Sequence, residues 1–305
     1  MIKKHFKKLV SVALTAVMVM GMSVTAFAKE SNSISNDTVT NNIIYSPEFP
    51  AAYIITETAS APNNYSLNNE PKQLVSITAT VFVEENLSTD KNGNIYVSNS
   101  RLLSKDEVEN IGIDNFSNIN TMSTSRAAKN TYGKLTLTFS GSHSISGKSV
   151  SCKLNGNANW DFGAFTSSEK NPAIGKDFMG ITWSGLFSTI SSSCSATDFT
   201  GKVTYPTMVD SIANGGRVWS FEESLFEDHF ANYNKNINAT INIKKNTMTG
   251  NGNTAEAVLK YIHTYQKATG SVSMNAGKDS VSAGFTLSNV EKQWSLVCTV
   301  TGIPY

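Results

Sequence analysis

The sequence predicts a mainly β protein whose main domain is an antiparallel, sandwich-like fold with one or two short helices. Short segments of alternating apolar and polar residues recur along the chain, as half-buried strands require. Gly- and Asn-rich turns separate many of them. Charged residues make up 16% of the chain, below the ~25% usual for globular proteins. Ser, Thr, Asn and Gly take their place, a balance that suits the wet faces of sheets in an exported β protein.

Order begins near Leu74. Val75, Ile77, Ala79, Val81 and Val83 alternate with Ser76, Thr78, Thr80 and Phe82, which predicts a strand with one buried face. A turn at 90–94 leads into a return strand from Asn94 to Leu103. Ser104-x-x-Glu107 is a capping box that opens a short helix, and Gly112 supplies its stop. Segments starting at Lys134 and Ser149 alternate cleanly. In the segment from Asn236, Ile237, Ala239, Ile241 and Ile243 share one face, and Asn236, Asn238, Thr240 and Asn242 share the other. A slip of one residue would turn every Ile to solvent, so its register is strongly specified. Phe178–Ile190, Val218–Phe221, Ser271–Ala276, Val281–Leu287 and Gln293–Val300 also read as strands.

Two segments break this pattern. Ser220-x-x-Glu223 predicts a helix running to Tyr233. Asn253-Thr-Ala-Glu256 caps a predicted second helix through Gln266, with Ala255, Val258, Leu259, Ile262 and Tyr265 on one side. The competing reading of that segment is a strand with Leu259, Tyr261, His263 and Tyr265 on one face.

Domain organisation follows from composition. Residues 1–28 have the n-region, apolar stretch and Ala26-Phe27-Ala28 site of a secretory signal peptide. No Cys follows the apolar stretch, and the C-terminal end carries no apolar anchor or wall-sorting motif. The expected product is therefore secreted and released. Residues 29–72 read as a disordered polar leader with an extended piece at Ile54–Ile55. Residues 73–115 read as a small β-hairpin plus short helix, a subdomain or pro-segment. Residues 116–130 read as a linker with Arg126 as an accessible protease site. Residues 131–305 form the β-rich main domain.

The full chain has a formal net charge of +1, with 25 Lys+Arg and 24 Asp+Glu. Lys3, Lys4, Lys7 and Lys8 lie in the signal, which leaves 21 basic against 24 acidic residues, a net charge of −3. That balance gives no basic stripe for a nucleic acid.

Chemistry-bearing motifs are few. No closely spaced His or Cys pair signals zinc, and no cofactor loop is present. Asp90, Asn92 and Asn94 match the start of a calcium loop, but Ile95 and Arg101 stand where such a loop needs Gly and Glu. No metal or cofactor is therefore expected. Cys152, Cys194 and Cys298 allow at most one intramolecular disulfide. Cys152–Cys194 is the candidate bridge, against the alternative of buried thiols that pack as small hydrophobes.

Glu222 and His229 are the candidate catalytic pair, a carboxylate that would orient an imidazole on a helix face. Trp160, Asp161 and Trp183 are the candidate ligand-binding residues, indole faces beside polar groups that suit a sugar. The competing reading for the tryptophans is core packing. The 271–288 hairpin alternates apolar and polar residues, as membrane-inserting hairpins and ordinary half-buried hairpins both do. The favoured function is a non-enzymatic extracellular binding module for a glycan or cell-surface ligand. The alternatives are a membrane-interacting β protein and a secreted hydrolase.

Overall fold

The computed structural model describes residues 43–59, 71–74, 76–89, 91, 95–113, 130–162, 176–198, 201–222, 234–248, 253–265, 270–274 and 284–305. The signal peptide, the linker core at 116–129, most of the calcium-like turn and the predicted helix at 223–233 lie outside them. The described residues belong to one compact unit, 40–305.

The chain enters through three short strands, β1 (Ile44–Tyr45), β2 (Ile54–Ala59) and β3 (Lys72–Gln73). Next come β4 (Ser76–Thr89), β5 (Ile95–Leu102) and helix α1 (Lys105–Ile111). The long strands β6 (Asn130–Ser146) and β7 (Ser149–Phe162) follow. Then come β8 (Lys176–Trp183), β9 (Ser188–Asp198), β10 (Val203–Thr204), β11 (Thr207–Ile212) and β12 (Gly216–Glu222). The chain ends with β13 (Asn234–Lys245), β14 (Thr254–Thr264), β15 (Ser271–Met274), β16 (Phe285–Ser288) and β17 (Gln293–Pro304).

Two antiparallel sheets form a sandwich. The large sheet runs β10-β9-β13-β7-β6-β4-β2, with β3 on β6 and β5 on β4. The small sheet runs β1-β17-β14-β8-β12-β11. Their inner faces share one apolar core: Ile77, Leu137, Leu154 and Ile241 from the large sheet, Ile181, Trp183, Leu259 and Leu296 from the small one. Gly156 of β7 marks a close approach of the two sheets. A Cβ there would sit 2.7 Å from a methyl of Leu259, so only glycine lets the two sheets meet at that point.

A third layer covers the small sheet. β15 and β16 pair as a hairpin, and Met274, Phe285 and Leu287 pack on Phe178, Val218 and Ile262. Gly180 of β8 is the notch for this hairpin, since a Cβ there would lie 2.8 Å from the Phe285 ring. The apolar face of the 271–288 segment, which also suited insertion into a membrane, is thus spent on the small sheet over its described strands. No helix among the described residues is long and apolar enough to cross a membrane.

On the opposite side, α1 covers one corner of the large sheet. Its capping box forms as predicted, with the Glu107 backbone N–H and the Ser104 hydroxyl 3.5 Å apart. The Ser104 backbone N–H donates in return to Glu107 at 2.9 Å. Gly112 ends the helix at φ 86°, a conformation that glycine adopts without strain. Val108 then packs with Phe82 and Leu103.

Several expectations are corrected here. The segment from Asn253 is strand β14, not a helix. Its central residues, from Ala257 to Thr264, are all buried because β14 lies between β17 and β8 with both faces covered. A strand buried on both faces shows no alternation, and its apolar run fits a helical stripe by coincidence. Ser220 sits inside β12 rather than capping a helix. The predicted strand over Phe178–Ile190 is two strands, β8 and β9, joined through a turn in which Leu186 has φ 56°. Within the leader 29–72, the described residues supply β1, β2 and the first residue of β3. Glu48 within it accepts from the Ser295 backbone N–H at 2.9 Å. Segments 73–115 and 131–305 also do not form separate cores. β4 pairs with β6 from Ile77↔Phe139 to Asn86↔Asn130, so the residues on either side of the linker share one sheet.

Candidate ligand-binding face

The outer face of the large sheet, beyond the corner under α1, is built by period-2 alternation. Over the middle of β6, β7 and β13 each inward residue is followed by an outward Thr, Asn or Ser, and antiparallel register lines these up across strands. One row runs Thr80, Thr136, Asn159, Asn236, Thr197. The next runs Thr78, Thr138, Asn157, Asn238, Ser195. A third runs Ser140, Asn155, Thr240, Ser193. Strand geometry sets the rows about 6.8 Å apart and neighbours within a row about 4.8 Å apart.

Cross-strand hydrogen bonds order this lattice. Asn157 Nδ2 donates to Asn236 Oδ1 at 3.0 Å and to Asn238 Oδ1 at 2.8 Å. Asn236 Nδ2 donates to Asn159 Oδ1 at 3.3 Å, and Thr240 Oγ1 to Asn155 Oδ1 at 3.1 Å. Thr78 pairs with Thr138 at 3.1 Å and Thr80 with Thr136 at 3.2 Å. An amide has two donors and two acceptor lone pairs, so these bonds fix the rotamers and leave capacity for a ligand. Across β4, β6, β7, β13 and β9 these three rows contain no charged residue, while Glu57 of β2 continues the second row beside Thr78 and Lys153 stands in the row after the third. Charge sits at their margins, where Lys134 pairs with Asp161 at 3.0 Å.

The predicted ligand-binding residues are placed differently. Trp160 and Trp183 are fully buried between the sheets. Trp160 Nε1 donates to the Tyr261 hydroxyl at 2.8 Å, and Trp183 Nε1 to the Phe187 carbonyl at 2.9 Å. Core packing therefore absorbs both indoles, and only Asp161 faces outward. Glu222 closes β12, and His229, its proposed partner, lies outside the described residues.

All three cysteines are free and buried. Cys152 pairs with Ile243 of β13, and Cys194 pairs with Ala239 of the same strand. They stand on opposite sides of β13 and four residues apart along it, well outside the reach of a disulfide. Burial pushes each thiol up to about 12, which keeps it protonated and unreactive.

The structure also assembles a cluster that sequence spacing did not reveal. At one end of the sandwich, Asp177 of β8 accepts from the Tyr261 hydroxyl and from the Thr264 backbone N–H, the latter at 2.9 Å. His263 Nδ1 lies 3.1 Å from Asp177, and Nε2 lies 3.2 Å from Glu85 of the large sheet. The imidazole is tilted against Trp294, with ring centroids 5.0 Å apart. The competing strand reading of 259–265 put Tyr261 and His263 on one face, but nothing local pointed to Asp177 or Glu85. A carboxylate that orients an imidazole is the arrangement of a general base. Here, however, His263 is 2% exposed and Asp177 is 0% exposed, so the cluster ties sheet to sheet. No group of His, Cys, Asp and Glu that could hold a metal ion occurs among the described residues.

No family model matches the chain, and no curated protein matches it. Several solved structures show faint overlap, three of them bacterial surface proteins. The collagen adhesin of S. aureus matches at 8% identity over 72% of this chain and 88% of that one, with a TM-score of 0.24. The collagen-binding domain of the Erysipelothrix rhusiopathiae surface protein RspB matches at 8% identity over 84% and 98%, with a TM-score of 0.25. The C-terminal domain of the Streptococcus agalactiae AgI/II polypeptide BspA matches at 9% identity over 82% and 99%, with a TM-score of 0.24. Overlap this low transfers no residue role to this chain.

Proposed function

We propose that this chain is a secreted, non-enzymatic binding module that engages a glycan through the outer face of its large sheet. The observation that carries this reading is the uncharged lattice of Asn, Thr and Ser in register across β4, β6, β7, β13 and β9. Sugars present many hydroxyls and little charge, and a lattice of fixed amides and hydroxyls matches them donor for acceptor. Each such bond is worth only about 0.5–1.5 kcal/mol net, so affinity accrues along an extended ligand. The signal-like N-terminus and the low charge of the chain suit this extracellular role.

The test is a broad glycan panel probed with the full secreted chain. The reading expects hits among neutral polysaccharides that an Asn157→Ala, Asn238→Ala double variant loses. A panel with no hits contradicts it.

A further inference from the structure

We infer that Tyr205, with Val203 beside it, forms a stacking subsite for a neutral sugar ring at the edge of this lattice. The inference rests on the binding-face reading above and adds the aromatic contact that the lattice rows themselves lack.

β10 is the edge strand of the large sheet, paired Val203↔Thr197 and Thr204↔Ala196. Val203 therefore extends the row that holds Asn236 and Thr197. Alternation along an extended chain puts Tyr205 on that same outer side, next to Ser195 of the second row. The two side chains stay in solvent: Tyr205 is 81% exposed and Val203 53%. Their backbone is nonetheless held. Thr204 Oγ1 donates to Asn234 Oδ1 at 3.2 Å beneath the strand. Pro206 follows, and a residue before proline is restricted to extended conformations. The tyrosine ring is thus presented from a fixed backbone and covers nothing.

A pyranose has an apolar C–H face and a rim of hydroxyls. An exposed tyrosine ring accepts the first, and the hydrogen-bonded amides of Asn236 and Asn238, with the hydroxyls of Ser195 and Thr197 beside them, accept the second. Charge near the corner is marginal. Asp198 is buried and accepts the Lys202 backbone N–H at 2.8 Å, and the exposed Lys202 belongs to the β9–β10 turn. A neutral ring therefore fits better than an anionic or cationic one.

The experiment titrates the full chain with neutral cello-, xylo- and maltohexaose and with the galacturonic acid hexamer, by calorimetry. Tyr205→Ala should weaken the neutral oligosaccharide that binds by at least tenfold, while Tyr205→Phe, which keeps the ring, stays within about threefold of the parent. Tyr205 buries nothing, so both variants fold. Unchanged affinity in Tyr205→Ala, with loss in Asn157→Ala, Asn238→Ala, overturns the subsite and leaves the binding face standing. Tighter binding of the galacturonic acid hexamer overturns the neutral class. No binding of any neutral hexamer overturns both readings.

Discussion

The outer faces of the two sheets are made from opposite materials. On the large sheet, β13 sends Asn236, Asn238, Thr240 and Asn242 outward, and all four keep contact with solvent. On the small sheet, β14 sends Val258, Lys260 and Ile262 outward, and all three are buried. The β15–β16 hairpin lies over Ile262 through Phe285 and Leu287, while Tyr45 packs on Val258 and Val297. Lys260 survives there by laying its ammonium 5.9 Å from the Phe285 ring centroid, and burial lowers its pKa. One face has its apolar surface covered by the chain itself. The other needs no cover, because its polar groups are satisfied by one another and by water. That difference is why the large sheet can meet a partner without first losing a layer.

The largest expected effect lies between the faces. Asp177→Ala should cost about 3–5 kcal/mol in denaturant unfolding, because it leaves the buried Tyr261 hydroxyl, the Thr264 backbone N–H and His263 Nδ1 without their shared carboxylate. A loss below about 1 kcal/mol would mean the cluster does not tie the sheets together. Next is the covered face. Phe285→Ala should cost about 3 kcal/mol, since it empties the contact above Gly180. A neutral effect would mean that the hairpin is not a fixed layer.

These two sites also show what could be read from the residues. β13 was legible because one side is wet: Ile237, Ala239, Ile241 and Ile243 alternate with polar residues, so period and face follow directly. β14 was not. Both of its sides are dry, alternation disappears, and only length and neighbours separate such a strand from a helix. The polar face was visible one strand at a time, as in Asn236–Asn242 or Ser76–Thr80. Its rows depend on register between strands far apart in sequence, such as Asn157 and Asn238. The Asp177–His263–Glu85 cluster was hidden for the same reason, since its members come from β8, β14 and β4. Trp160 misled because its polar neighbours Asn159 and Asp161 lie on the opposite face of β7, and Trp183 because Ser184, just past the end of β8, is itself buried. Tyr205 passed unnoticed because its segment is too short to show a period.

Within β13 the contrast can be tested residue by residue. Ile241→Ala should cost about 3 kcal/mol, whereas its neighbour Thr240→Ala should stay within about 0.5 kcal/mol. Equal costs would mean that the outer face is structural rather than available. The smallest effect concerns the corner under α1. The Ser104 backbone N–H, the Arg101 guanidinium and the Ser104 hydroxyl hold the Glu107 carboxyl down at about 2. Because the folded value lies below the ordinary 4.5, this contribution is present above that range and fades as pH falls toward 2. Glu107 is partly exposed, so screening keeps it small. Glu107→Gln should flatten this acid-side loss in thermal unfolding while the behaviour near neutral pH changes little.

The most direct test of the binding face is a side-chain amide NMR titration of the full chain with a neutral oligosaccharide that the panel selects. The Asn155, Asn157, Asn159, Asn236 and Asn238 NH2 signals should shift together, while residues of the β15–β16 hairpin stay still. Shifts confined to that hairpin or to β11, with the five amides unmoved, would contradict it.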